Sequence, residues 1–466
     1  MSNSKLIAVF LTLSPAELRE LALAMQLHKN SAPFKLFQLL HQLHTAGKLV
    51  DYDRKSALLF VYPGTDYDDQ PMRLVESNLL EIVESFLIDL FVRQREEWYG
   101  LMKVRMYAER DVPKAYYYAA ERLSELLHKQ SGVSNLYISH ELDNVRMNFE
   151  SSHQSRKLPL DFKRINISAD TWYIATKLKH ACEAINARNV LGADVELNLI
   201  REVRSLAAKA PFSKEPAIFA YTLIYDSLVN PDDETFTEKM MHFIKTDGMV
   251  FPKNEQRDFF QYLKNFCIKK LNSGRTEYTR HLFDIYCLNL SMTDLLQDVP
   301  LSPFEFKNIV TIALRLNEMK WVEDFIPAYL KYIPAEHREN AEVYNLGNLS
   351  FFKKDYRSTL KLLQRVEFSD VFYALDVKSI ILKAYFEQGE EELFSYQASA
   401  FRTFLSRSRQ VSDYQRIIYR NFIKFATQLM KADGHPDEIK KITDEMEGVK
   451  QVADIRWLRE KAMNNA

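Results

Sequence analysis

Tyr344-Asn345-Leu346-Gly347-Asn348, followed by Phe351-Phe352-Lys353-Lys354-Asp355-Tyr356, reads as the end of one helix, a tight turn and the start of a second. Val343, Leu346, Gly347 and Ser350 recur at three-and-four spacing before the turn, and Tyr356, Thr359, Leu363 and Val366 do so after it. That periodicity belongs to helices burying one stripe each. A glycine within the first stripe lets the second helix approach closely.

Similar hairpins flank it. Phe306, Ile309, Val310 and Ala313 precede a turn at Asn317, and Met319, Val322, Ile326 and Tyr329 follow it, with Pro334 closing the unit. After the central hairpin come Ile381, Tyr385 and Phe386, a turn at Gly389, and Ala398, with bulky Leu382 and Phe394 where small residues are expected. The turns near 317, 354 and 389 lie about 35–37 positions apart, close to the ~34 of tetratricopeptide repeats. Earlier turns near 192, 231 and 274 are spaced by about 40 positions, which also suits two-helix units.

Residues 301–402 thus resemble a degenerate tetratricopeptide-repeat array. The segments Asn308-Ile309-Val310, Trp321-Val322-Glu323-Asp324-Phe325-Ile326 and Val371-Phe372-Tyr373-Ala374-Leu375-Asp376 are also similar to a group of bacterial helical-repeat proteins that carries no assigned activity. The resemblance implies an all-α chain, a right-handed α-solenoid of antiparallel helix pairs with an N-terminal helical region packed on it. The expected organisation is an N-terminal helical region over 1–150, irregular helix pairs over 165–300, the repeats over 301–402 and capping helices over 403–466. The polar, basic segment 150–164 is expected as a loop or boundary. Asp433-Gly434-His435-Pro436 is expected as a turn before the last helices, and Tyr62 to Pro71 as an acidic loop.

Composition agrees with helix. Only 11 glycines and 15 prolines occur in 466 residues, too few for a turn-rich β or Gly-loop nucleotide fold. Lys and Arg total 62 against 63 Asp and Glu, a formal net charge of −1 that offers no global attraction to nucleic acid or anionic membrane. Cys182, Cys267 and Cys287 form no C-x-x-C pair and are odd in number, which argues for a reducing, cytoplasmic setting. The apolar run Leu6 to Leu13 leads straight into Ser14-Pro15-Ala16-Glu17, a helix-start signature, so it reads as buried structure rather than a signal peptide. No run reaches the ~18 apolar residues of a membrane span.

Catalytic signatures are missing. No dinucleotide or P-loop glycine motif, G-x-S-x-G elbow or H-E-x-x-H helix occurs. His41 and His44 share a helix face without a third ligand, and the cysteines sit among apolar helical positions. The expectation is a protein that is not an enzyme, with no catalytic, cofactor-binding or metal-binding residues.

Binding surfaces remain. In tetratricopeptide domains the first helices line a groove, and some members clamp a C-terminal carboxylate with Lys, Asn and Arg at five set positions. Lys307 and Asn345 match two, whereas Ile312, Asp376 and Ile380 occupy the others, and Asp376 would repel a carboxylate. The resemblance therefore implies an open groove for a protein or peptide partner through Lys307, Asn308, Arg315, Asn345 and Asn348. A second surface is basic: Arg416, Arg420 and Lys424 repeat every four residues and form one helical stripe, with Arg402, Arg407 and Arg409 just before it. Such a stripe suits phosphates or an acidic partner. Two functions are thus expected in order: a protein–protein interaction scaffold, and an RNA-binding helical-repeat protein.

Overall fold

The computed structural model describes residues 4–65, 68–153, 161–192, 195–367, 371–432, 435–449 and 451–465. Among them the regular elements are 24 α-helices and short 3-10 turns. The chain divides into two compact units, residues 1–225 with 250–252, and residues 226–249 with 253–466.

The first unit holds α1 (Lys5–Phe10), α2 (Pro15–Ala24), α3 (Ala32–Thr45), α4 (Arg54–Val61), α5 (Asp69–Arg93), α6 (Glu96–Glu109), α7 (Pro113–Leu127), α8 (Val133–His153), α9 (Phe162–Leu191), α10 (Ile200–Ala207) and most of α11 (Pro216–Val229). Leu6, Ile7, Phe10 and Leu13 are buried with Leu21, Phe37 and Leu79, so the N-terminal apolar run belongs to a core. The helix start at Ser14 forms its reciprocal cap: Glu17 N donates to Ser14 Oγ at 3.2 Å, and Ser14 N donates to the Glu17 carboxylate at 2.8 Å. Of the tyrosine triplet, Tyr116 is fully buried, while Tyr117 and Tyr118 are exposed. Residues 66–67 of the acidic loop and 154–160 of the expected boundary lie outside the described residues. On either side of the latter, α8 and α9 pack against each other.

The second unit holds the end of α11, α12 (Phe236–Thr246), α13 (Lys253–Asn272), α14 (Tyr278–Ser291), α15 (Thr293–Asp298), α16 (Pro303–Arg315), α17 (Met319–Tyr329), α18 (Arg338–Phe352), α19 (Tyr356–Leu363), α20 (Val371–Glu387), α21 (Glu391–Arg407), α22 (Asp413–Lys431), α23 (Pro436–Glu447) and α24 (Ile455–Asn465). Residues 433–434 of the expected turn lie outside the described residues. Contacts join consecutive helices and also alternate ones: α14 with α16, α16 with α18, and α18 with α20.

One cap recurs at the hairpins. Asn317, Lys354 and Gly389 all adopt left-handed backbone, with φ of 62°, 64° and 68°. After each, the next amide reaches back five residues: Glu318 N to Ala313 O at 3.0 Å, Asp355 N to Ser350 O at 2.9 Å and Glu390 N to Tyr385 O at 3.1 Å. This closure satisfies orphan carbonyls at the helix end and reverses the chain within two residues. It occurs again at Asp111 and Gly274, where Val112 N meets Tyr107 O and Arg275 N meets Lys270 O, both at 3.1 Å. The α6–α7 pair thus turns like the later hairpins.

Gly347 shows why one of these hairpins carries a glycine. A Cβ there would lie 2.6 Å from Leu363 Cδ2. In the following hairpin the sizes are exchanged, with Leu382 and Ala398 both buried in one core cluster. Leu382 stands where a small residue is expected, and the small residue of this hairpin, Ala398, is on α21.

Candidate functional face

The first helices of the hairpins, α16, α18 and α20, present a polar group of side chains. Lys307 Nζ donates to Asp376 Oδ2 at 2.5 Å and stands 5.3 Å from the centre of the Tyr373 ring. Tyr373 packs edge-on against Tyr344 at 5.0 Å, and its hydroxyl donates to Pro303 O at 3.1 Å. Tyr419 Oη lies 3.4 Å from the other Asp376 oxygen, long for a hydrogen bond. Burial raises the Tyr344 and Tyr419 phenols well above the ordinary range, and Asp376 and Asp454 add to the shift in both, so both rings stay neutral.

A second carboxylate reaches this face from outside the repeats. Asp454 accepts from Ser379 Oγ at 2.6 Å and from Lys383 Nζ at 2.9 Å, both on α20. Burial by itself would raise its pKa. The Lys383 charge, hydrogen bonds from Ser379 and Lys383, and the Arg315 charge outweigh that and hold it below the usual carboxylate range. Protein surrounds Asp454 closely, yet solvent reaches a third of its side chain, whereas the Lys383 side chain is 12% exposed. The carboxylate therefore sits in a recess. Segment 451–454 is tied to α22 by two hydrogen bonds, Ala453 N to Ile418 O at 3.0 Å and the Asn421 side chain, through Nδ2, to Gln451 O at 2.8 Å.

The residues expected to receive a partner divide into two groups. Asn308 and Arg315 are exposed on α16. Asn345 and Asn348 are not available to a ligand: they are 0% and 5% exposed, and Asn345 Nδ2 donates to Ala341 O one turn back at 2.6 Å. They lie on the side of α18 that packs on its neighbours, which corrects the expectation of an open groove through them. Lys307 is half-buried and already paired. Asp376, expected to repel a carboxylate, neutralises Lys307 instead.

The basic stripe is partly engaged within the fold. Arg416 donates through Nη1 to Leu405 O and through Nη2 to Ser408 O, the latter at 2.7 Å. It closes the C-terminal end of α21, where uncompensated carbonyls collect. Lys424 pairs with Glu445 at 2.5 Å, and Arg402 donates to Thr427 Oγ1 at 3.1 Å. Arg420 remains exposed. No sequence signal marks Arg416 as a cap, because its acceptors lie in the previous helix.

Two further findings bear on chemistry. Burial pushes the Cys267 thiol up to about 12, against a smaller opposing effect of Thr237, and burial likewise raises the Cys287 thiol, so neither offers a thiolate near neutral pH. Among the described residues, no group of three or more His, Cys, Asp and Glu is placed to hold a metal ion, and no helix is long and apolar enough to cross a membrane. A cleft of about 430 Å³ between α6 and α7, lined by Tyr99, Lys103, Tyr118 and Arg122, opens to solvent.

No protein-family model, no curated protein and no solved structure matches the chain.

Proposed function

We propose that the chain is a non-catalytic interaction scaffold of the reducing cytoplasm. In this reading its helix pairs stack antiparallel as a right-handed, tetratricopeptide-like α-solenoid, and the α16–α20 face receives a protein or peptide partner. The observation that carries the reading is the recurrence of one left-handed closure at Asn317, Lys354 and Gly389, joined to contacts between alternate helices. Units built alike whose first helices contact one another in succession are the makings of a repeat stack, whose use is its extended surface. The polar groups of that face suit recognition, because they are held by one another and ready to exchange partners. The scaffold reading is preferred to RNA binding because Arg416 and Lys424 of the basic stripe already have partners within the fold.

Photo-crosslinking tests the reading. A photoreactive residue at exposed Asn308 of the full chain in native lysate should give a reproducible protein adduct, absent when the same residue replaces exposed Lys361 on α19. No adduct, or identical adducts from both positions, would overturn it.

A further inference from the structure

Asp454 is bound as a ligand is bound. A carboxylate at the start of a helix ordinarily accepts from the amides of its own first turn. Asp454 immediately precedes α24, yet its Oδ2 is turned to Ser379 and Lys383 on α20. Its backbone takes a left-handed conformation at φ 49°, uncommon for a residue with a side chain. Ser379 is 2% exposed, so its hydroxyl and the Lys383 ammonium form a recess that is already built. Arg315, exposed on α16, adds its charge to the same carboxylate.

Both polar and apolar contacts hold the segment down: Val452 and Ala453 are partly buried against the core cluster that contains Phe386, Phe422 and Leu458. Beyond Asp454, Trp457 Nε1 and Lys461 Nζ both donate to the Glu387 carboxylate at 2.8 Å. Trp457 also packs on Phe386, with ring centres 5.1 Å apart. The polar part of the attachment of 451–454 comes from the Asp454 pair and the two hydrogen bonds to α22. Its apolar side chains are only partly buried and solvent reaches Asp454, so such a surface segment opens locally at less cost than a core helix.

We propose that Ser379 and Lys383 form a carboxylate-recognition site for an acidic segment of a protein partner, and that Asp454 is its built-in occupant, blocking the site until 451–454 is displaced. The proposal rests on the scaffold reading of the same face. It differs from the five-position clamp, whose positions Ile312, Asp376 and Ile380 do not fit. The internal ligand has a high effective concentration, so a partner's carboxylate must be one of several contacts to compete.

The probe is a fluorescein-labelled, end-capped hexa-aspartate peptide, with hexa-asparagine as control, followed by anisotropy on the full chain in low salt. Asp454→Asn suits the test because asparagine tolerates left-handed backbone and removes only the charge. Wild type should bind weakly and D454N at least ten-fold more tightly, and adding Lys383→Met to D454N should return binding to the wild-type level. Circular dichroism melts of all three proteins establish that each is folded. Equal affinity of D454N and wild type, or tight binding that survives K383M, would overturn the proposal. A crosslinked adduct at Asn308 that persists in D454N and in D454N/K383M would show that the scaffold reading stands while this site fails.

Discussion

Lys307 and Asp376, 69 positions apart on α16 and α20, meet at 2.5 Å. The ion pair joins the first hairpin to the third and places its charges where a peptide-binding groove would need them free. Its Lys side chain is 13% exposed and its Asp side chain 31%, so the pair is only partly desolvated. Removing one partner leaves the other under-solvated, which costs more than a surface pair does. Lys307→Met should therefore destabilise the chain by about 1–2 kcal/mol, and Asp376→Asn by a similar amount. A double-mutant cycle in urea should return a coupling of about 1 kcal/mol. Strictly additive single effects would show that the two groups do not depend on each other.

Gly347 makes a sharper packing prediction. The added methyl of Gly347→Ala meets Leu363 Cδ2 at 2.6 Å and Cγ at 2.9 Å, and Leu363 is itself buried at 1% exposed. Overpacking of this kind costs about 1–3 kcal/mol. Gly347→Leu should be worse alone, but Gly347→Leu with Leu363→Ala should recover much of the loss. That pair reproduces the size order of Leu382 and Ala398 in the next hairpin. Thermal melts of the three variants decide it, and a double variant no better than G347L would refute the exchange.

The same residues show what the sequence could reveal. The hairpins around Asn317, Lys354 and Gly389 were legible because apolar periodicity, a turn residue and one small residue coincide. The likeness of the α6–α7 pair to the others lies in backbone closure at Asp111, which no residue type enforces. The polar face was only half legible. Lys307 and Asp376 could be placed on first helices, but whether they attract a ligand or each other depends on side-chain reach. Asn345 illustrates the limit: one helical position separates a groove residue from a buried one. Asp454 lay beyond any local pattern, since its partners are 71 and 75 positions away.

Arg416 should behave as a structural residue. Its two guanidinium arms serve Leu405 and Ser408 carbonyls at the end of α21, and neither lysine nor methionine can reproduce that fork. Arg416→Met should cost about 2 kcal/mol, in line with the loss of charged hydrogen bonds. Arg420→Gln, at an exposed position four residues on, should change stability by less than about 0.5 kcal/mol. RNA titrations at two salt concentrations complete the test. An R416M chain that melts like wild type but loses salt-sensitive RNA binding would restore the basic stripe as a binding surface.

His153 gives the first unit a pH-dependent tie. Its Nδ1 lies 2.8 Å from Phe149 O and its Nε2 2.5 Å from Asp111 Oδ1, so it joins the end of α8 to the α6–α7 turn. Only the protonated ring can donate at both nitrogens. The Phe149 carbonyl, and after it Asp111, accordingly raise its pKa above the ordinary 6.5. A raised folded-state pKa contributes stability that is complete below the unfolded pKa and is lost as pH rises through the folded one. His153→Gln should therefore lower the urea midpoint relative to wild type at pH 5.5. The gap should close at pH 9, where the wild-type ring is neutral. In a background of Asp111→Asn the pH dependence of that gap should shrink, because one of the two acceptors has lost its charge. A gap that is constant across pH, or that widens as pH rises, would show that the ring contributes by packing on Phe149, 4.0 Å from it, and not through its charge.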